Sequence, residues 1–312
     1  MEAALLSDLY ARAQRQRRPL ISFEFFTPRT ADGDRVFFDR TLPALAALRP
    51  GYCSVTYGAG GSTREKTLGM VERIQNDHGL PAMAHLTCVG ATRAQILELL
   101  DDARRRGIRN LLALRGDPPE GTAAFEQVPG GFRYAHELVT LARGFGGFSV
   151  AVAGFPEGHL ECREGKHVDW ERLKAKVACG ADAVITQLFF DNAYFYEFRD
   201  HLVDRLGVRV PIVPGIIPIQ SAGQIRKFVA LCGATIPPAL AARLEALATD
   251  DAAAAEFGIE FATAQCADLL RQGVPGLHFY SLNKALPVTR ILQNLQGAAF
   301  SLGSPAGDRS FR

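Results

Sequence analysis

One glutamate, Glu24, stands inside the run Ile21-Ser22-Phe23-Glu24-Phe25-Phe26. An unpaired ionised carboxylate is costly in an apolar strand, so the residue is expected where that strand emerges into a site. Desolvation by Phe23, Phe25 and Phe26 is expected to raise its pKa and keep it protonated, as a general acid near neutral pH must be. A structural pairing with Arg115 is the alternative. A second carboxylate, Asp117, follows Arg115-Gly116, a tight turn that exposes both charges, or else begins an Asx turn into Pro118-Pro119. The block from Ser54 to Ser62, with Thr56, Tyr57, Ala59 and three glycines, offers open backbone and a phenol to a phosphate or a ring. Lys174 and Lys176 follow a loop containing His159 and suit a pyrophosphate, or else a solvated helix face.

These groups fall at the ends of short apolar runs: Ile21 to Phe26, Tyr52 to Thr56, Ala82 to Leu86, Asn110 to Leu114, Phe148 to Val152, Ala183 to Gln187, Pro211 to Val213 and Leu277 to Leu282. Helical patterns lie between them at Phe37 to Leu48, Arg64 to Asp77, Ala94 to Arg106, Trp170 to Cys179 and Tyr194 to Leu206. Three more, Ala222 to Leu231, Ala239 to Ala248 and Ala253 to Gln272, precede the last strand. The pattern predicts an α/β protein, a (β/α)8 TIM barrel with extra helices between the seventh and eighth strands. A doubly wound open sheet competes, but its GxGxxG turn is absent. The expected organisation is an N-terminal helix over 1–18, a barrel over 19–296 and a flexible tail over 297–312. In such a barrel, Glu24, Thr56, Tyr57, His85, Arg115, Asp117, His159, Gln187 and Tyr280 converge at one mouth.

Composition narrows the classes. The chain has 312 residues, 47% of them hydrophobic, and a net charge of +2, which gives no footprint for nucleic acid. No stretch approaches the roughly 20 apolar residues that span a bilayer. Met1 to Pro19 lacks the features of a leader peptide, so a cytoplasmic location is expected. The six cysteines lack metal-ligand spacing; buried reduced thiols and no metal are expected.

Six collinear segments, Ser22 to Phe26, Ser54 to Ala59, Ala84 to Cys88, Ala113 to Asp117, Ile185 to Phe190 and His278 to Asn283, together resemble the methylenetetrahydrofolate reductase family from about Pro19 to about Leu295. The resemblance implies a barrel with non-covalent FAD that passes a hydride from NADH or NADPH to 5,10-methylenetetrahydrofolate in a ping-pong mechanism, yielding 5-methyltetrahydrofolate for methionine synthesis. By motif match Glu24 is the general acid that helps open the imidazolidine ring, and Asp117 meets both the flavin edge and the pterin. Tyr57, Ala59, His85, Arg115, Gly116, Tyr134, Ala135, His159, Asp169 and Lys176 match positions that hold FAD. Gln187, Tyr280 and Lys284 fall on the folate side, and Thr56, Gln224 and Phe228 near the nicotinamide.

Departures from the family pattern are Thr27 for a proline, Phe155 for a tyrosine, Lys284 for an arginine, and Arg172 and Ala175 near the FAD phosphates. The resemblance also implies a homo-oligomer, dimer or tetramer, of bacterial type, without the S-adenosylmethionine-binding regulatory domain of eukaryotic relatives. Two other classes stay open at this point. One is a Schiff-base lyase or aldolase using Lys176 or Lys284. The other is a flavin- or folate-binding module without turnover.

Overall fold

The protein is described by a computed structural model over residues 4–58, 64–117 and 125–297. Ala59, Pro118, Pro119 and the tail beyond Gly297 lie outside the described residues. Within them, parallel strands β1 (Leu20–Phe25), β2 (Tyr52–Val55), β3 (Ala82–Thr87), β4 (Asn110–Leu114), β5 (Ser149–Gly154), β6 (Ala183–Thr186), β7 (Ile212–Val213), β8 (Gly215–Ile216) and β9 (Gly276–Tyr280) form one sheet. β7 bonds to β6 and β8 to β9, so the two short pieces are halves of one stave and the ring closes as an eight-stave barrel. Pro214 separates them; without an N–H it cannot donate to the ladder, although its carbonyl accepts from His278 N at 3.0 Å.

Helices alternate with the staves. They are α1 (Leu6–Gln16), α2 (Ala31–Val36), α3 (Leu42–Ala46), α4 (Arg64–His78), α5 (Arg93–Arg105), α6 (Ala135–Phe145), α7 (Lys166–Ala178), α8 (Asn192–Asp200), α9 (Ala222–Cys232), α10 (Pro238–Ala246), α11 (Asp251–Arg271) and α12 (Ala285–Gly297). The expected extra helices before the last stave are α9, α10 and α11. The helix after β1 starts at Ala31 rather than Phe37, because Thr30 Oγ1 accepts from Gly33 N at 3.0 Å; its first turn buries nothing and so carries no apolar period. α7 begins at Lys166, four residues before the apolar pattern starts at Trp170. α6 had no expected counterpart, yet Glu137 Oε2 caps it by accepting from Tyr134 N at 2.8 Å and Arg133 N at 2.9 Å.

Alternation along the strands sorts the side chains. Phe23 and Phe25 point outward into the core between staves and helices, while Leu20, Ser22 and Glu24 point to the barrel axis. The expectation of an apolar strand is therefore corrected for one face: beyond Leu20, β1's inner positions are Ser22 and Glu24. At the barrel base α1 packs Leu6, Leu9, Tyr10 and Ala13 against Leu20, Tyr52, Met83, Leu112 and neighbours. Asn110 ties it there, its Oδ1 accepting from Leu6 N at 2.7 Å and its Nδ2 donating to Ala4 O at 2.9 Å.

The six cysteines are unpaired, as expected; Cys53, Cys88 and Cys266 are buried, whereas Cys162, Cys179 and Cys232 are only half-buried. Among the described residues no helix is long and apolar enough to cross a membrane, and no cluster of His, Cys, Asp and Glu suits a metal ion.

Candidate active site

Glu24 is buried, 7% exposed, on the inner face of β1. His278, fully buried on β9, places Nε2 3.4 Å from Glu24 Oε2, and His85 on β3 places its Nε2 3.3 Å from the same oxygen. The His85 nitrogen is off the hydrogen-bonding direction and has no aligned partner, so it acts on Glu24 chiefly through charge. Burial alone raises the Glu24 pKa, but the charge of His85 and the contacts of both imidazoles outweigh it and bring the carboxyl down to about 2. The expected raised pKa is thus corrected: the nearest groups are imidazoles, and the phenylalanines face the other way. Arg115 does not pair with Glu24 either. It forms a two-pronged bridge to Glu161, Nη1 to Oε2 at 2.5 Å and Nη2 to Oε1 at 2.8 Å.

Behind the imidazole, Ser22 Oγ lies 2.8 Å from His278 Nδ1. In front, the turn after β9 grips the chain that leaves Glu24. Ser281 Oγ donates to Glu24 O at 2.6 Å, and Asn283 brackets Phe26, accepting from its N at 2.9 Å and donating to its O at 2.8 Å. Leu282 and Asn283 both adopt left-handed backbone, φ 53° and 56°. Ser22, His278, Ser281 and Asn283 were not singled out from sequence as site residues. The available signal was alternation, since Ser22 and His278 each stand two residues before a chosen residue on the same strand face.

A second group lies at the ends of β3 to β5. Lys176 exposes part of its stem, but its ammonium is buried and donates to Ala153 O at 2.7 Å; burial lowers its pKa to about 8 against the pull of Asp169. Burial raises the Asp169 pKa, opposed by Lys176, and lowers that of His159, opposed by Asp169. Asp169 Oδ2 accepts from His159 N at 3.2 Å. Nearby, Tyr57 hydroxyl, Arg64 Nε and Thr87 Oγ1 are buried with no aligned hydrogen-bond partner. Gly116, φ 89°, has no room for a side chain: a Cβ there would sit 2.5 Å from Val89 Cγ1 and 2.9 Å from Thr87 Cβ. Asp117 is exposed at this rim, beyond the end of β4. Thr56, just past β2, accepts through its carbonyl from Thr67 Oγ1 at 2.9 Å. Tyr134, 49% exposed, precedes Ala135 at the start of α6 and stacks on His136.

The third group borders a cleft of about 800 Å³ between α9, α11 and the turn after β9, lined by Gln220, Ser221, Gln224, Asp251, Leu282 and Lys284 among others. Gln220 Nε2 and Gln224 Nε2 are buried without partners there. Phe228 packs in an apolar cluster that also includes Tyr280 and Leu282. Tyr280 donates its hydroxyl to Thr186 O at 2.6 Å, and Gln187, one residue beyond β6, folds back so that its Oε1 accepts from Leu188 N. Lys284 is exposed. The geometry therefore gathers Glu24 with His85, and Lys176 with His159 and Asp169, while Gln224 and Lys284 meet at a separate cleft.

Residues 9–296 match the family model described as methylenetetrahydrofolate reductase. The chain is 37% identical over 265 residues to 5,10-methylenetetrahydrofolate reductase of Escherichia coli (strain K12), covering 85% of this chain and 86% of that protein. It is 40% identical over 290 residues to methylenetetrahydrofolate reductase (NADH) 1 of Arabidopsis thaliana, covering 90% of this chain and 49% of that one. The chain thus spans about half the length of such plant relatives. A solved structure from Clostridium thermocellum, an uncharacterized protein that binds two copies of 5-methyl-5,6,7,8-tetrahydrofolic acid, aligns with a TM-score of 0.60 at 13% identity, covering 93% of this chain and 98% of that one. At that identity the likeness concerns the fold alone.

Proposed function

Since the chain belongs to the methylenetetrahydrofolate reductase family, we propose that it reduces 5,10-methylenetetrahydrofolate to 5-methyltetrahydrofolate, using FAD and NADH or NADPH. The observation that carries this reading is Glu24 on the barrel axis with two imidazoles on its carboxylate. Opening the imidazolidine ring needs a proton delivered to a ring nitrogen, and a carboxyl beside imidazoles takes one up and passes it on. In the free protein Glu24 is held ionised. A ligand that fills the mouth removes water and strengthens the desolvation that already pushes the Glu24 pKa upward, so the proton shared within the cluster moves toward the carboxyl.

The rim residues fit a flavin dinucleotide. Lys176 offers a cation to a phosphate, and the buried Tyr57 hydroxyl, Arg64 Nε and Thr87 Oγ1, which lack an aligned partner, leave hydrogen-bonding capacity that a bound group would use. FAD, when bound, supplies the hydride relay between the nicotinamide and the folate. Asp117 at the rim would accept from the pterin amino and ring N–H groups, with Tyr280 and Gln187 beside the folate. Gln220 and Gln224 line the cleft and carry unpartnered amide donors that suit the carboxamide of the nicotinamide or a carboxylate of the folate. A Schiff base on Lys176 is disfavoured, because its Nζ is buried and engaged by Ala153 O.

The test separates the half-reactions. Anaerobic stopped-flow spectra should show Glu24→Gln still bleached by NADH or NADPH, while its reoxidation by methylenetetrahydrofolate is lost by about two orders of magnitude or more. Equal loss in both half-reactions, or none in the second, refutes the acid assignment.

A further inference from the structure

A line of side chains runs along the barrel axis from its base to Glu24. Tyr10 of α1 meets Tyr52 of β2, hydroxyl to hydroxyl at 3.1 Å. Tyr52 sits beside Ser22 in the β1–β2 pairing and stacks on His278, centroids 6.2 Å apart and planes within 19°. Ser22 Oγ reaches His278 Nδ1 at 2.8 Å, and His278 Nε2 faces Glu24. All five side chains are buried.

The closed end of this line sets its direction. Among the described residues Tyr10 hydroxyl has no hydrogen-bond partner other than Tyr52. If Tyr10 accepted from Tyr52, its own proton would be orphaned in the core at a cost of roughly 1–3 kcal/mol. Tyr10 therefore donates to Tyr52, and Tyr52 is left to donate toward Ser22. Ser22, with His278 Nδ1 at 2.8 Å and Leu277 O at 3.4 Å, gives its proton to the nearer nitrogen.

We propose that Ser22 is a positioning residue that fixes His278 as the neutral Nε2–H tautomer, a permanent hydrogen-bond donor to Glu24. His85, whose Nε2 has no aligned partner, is then the imidazole that exchanges the proton Glu24 delivers. One proton passes from His85 to Glu24 and on to the ring nitrogen, leaving His85 neutral and Glu24 ionised as before. The influences on Glu24 agree with this division, because His85 acts first by charge and His278 first by its hydrogen bond. Facing His278 are Glu24 and Ser22 from β1, Tyr52 from β2 and Tyr280 from its own strand, ring centroids 5.5 Å apart; no other titratable or charged group contacts its ring among the described residues.

The inference rests on Glu24 being the acid, and its test separates the two. In holoenzyme labelled with ¹⁵N-histidine, the His278 signals, assigned by their absence in His278→Asn, should show an unprotonated Nδ1 and a protonated Nε2. A protonated Nδ1 in the wild-type protein overturns the proposal and requires no variant to fold. In Ser22→Ala, which removes the donor to Nδ1, the opposite tautomer should appear. Its Nε2 lone pair then faces Glu24 and favours the protonated carboxyl, so the alkaline limb of folate-dependent reoxidation should move up by about half a pH unit, about a threefold faster rate at a fixed pH on that limb. Unchanged histidine signals and an unchanged limb in Ser22→Ala overturn the positioning role. If Glu24→Gln keeps full folate turnover while the tautomer is as stated, the functional reading fails and the tautomer assignment stands.

Discussion

Removing the Asn283 side chain tests how the acid is anchored. Its amide brackets Phe26 with two hydrogen bonds, at 2.9 and 2.8 Å, just beyond Glu24, and its own backbone is left-handed at φ 56°. Both bonds are partly solvated, so each contributes about 0.5–1 kcal/mol. Alanine also resists left-handed backbone, where asparagine is tolerated, by about 1 kcal/mol. Asn283→Ala should therefore lower the unfolding free energy by about 2–3 kcal/mol. Asn283→Gly loses the bonds but keeps the conformation, and should cost about 1 kcal/mol less than alanine. Asn283→Asp keeps the acceptor for Phe26 N and loses the donor to Phe26 O, and should fall nearest the wild type. Urea unfolding of the three variants and the parent, with slopes compared to exclude changes in the denatured state, measures the series. An alanine variant within about 0.5 kcal/mol of wild type, or a glycine variant no better than alanine, refutes the reasoning.

Gly215→Ala would put a Cβ 2.3 Å from Thr186 O and 2.7 Å from the Tyr280 ring; it should cost about 1–3 kcal/mol and raise the KM for the folate, read by thermal melts and steady-state kinetics. Gly116→Ala combines strained backbone at φ 89° with a 2.5 Å contact on Val89, and should lower the flavin absorbance retained per protein on purification. Lys176 binds its proton more weakly when folded, at about 8 against a usual 10.5, so the stability of wild type relative to Lys176→Met should rise as pH increases from about 8 to 10.5. A flat difference across that window in pH-dependent unfolding means the ammonium is solvated.

The barrel was legible because each stave is a short apolar run and most helices carry a buried stripe. Elements without that signal were missed or clipped. α2 has no buried residue, and the first turn of α7 starts before its stripe. The split at Pro214 was invisible because only pairing to two different neighbours reveals that β7 and β8 form one stave. In the site, Glu24 stood out as a charge among aromatic residues, but its protonation could not be read there. The groups that decide it come from β3 and β9 and meet Glu24 only after ring closure. The same holds for Arg115, whose partner Glu161 lies in the loop after β5.

The turn from Ser281 to Lys284 explains why strain is retained beside the acid. Left-handed backbone at two successive residues with side chains costs about 1–2 kcal/mol each and persists only where the surroundings over-determine it. Here Leu282 lines the cleft, Asn283 brackets Phe26, and Ser281 holds the carbonyl of Glu24 itself. A relaxed turn would have to release at least one of these contacts. The strained turn thus joins the cleft to Glu24 through a few residues of chain, held at Glu24 O by Ser281 and at Phe26 by Asn283.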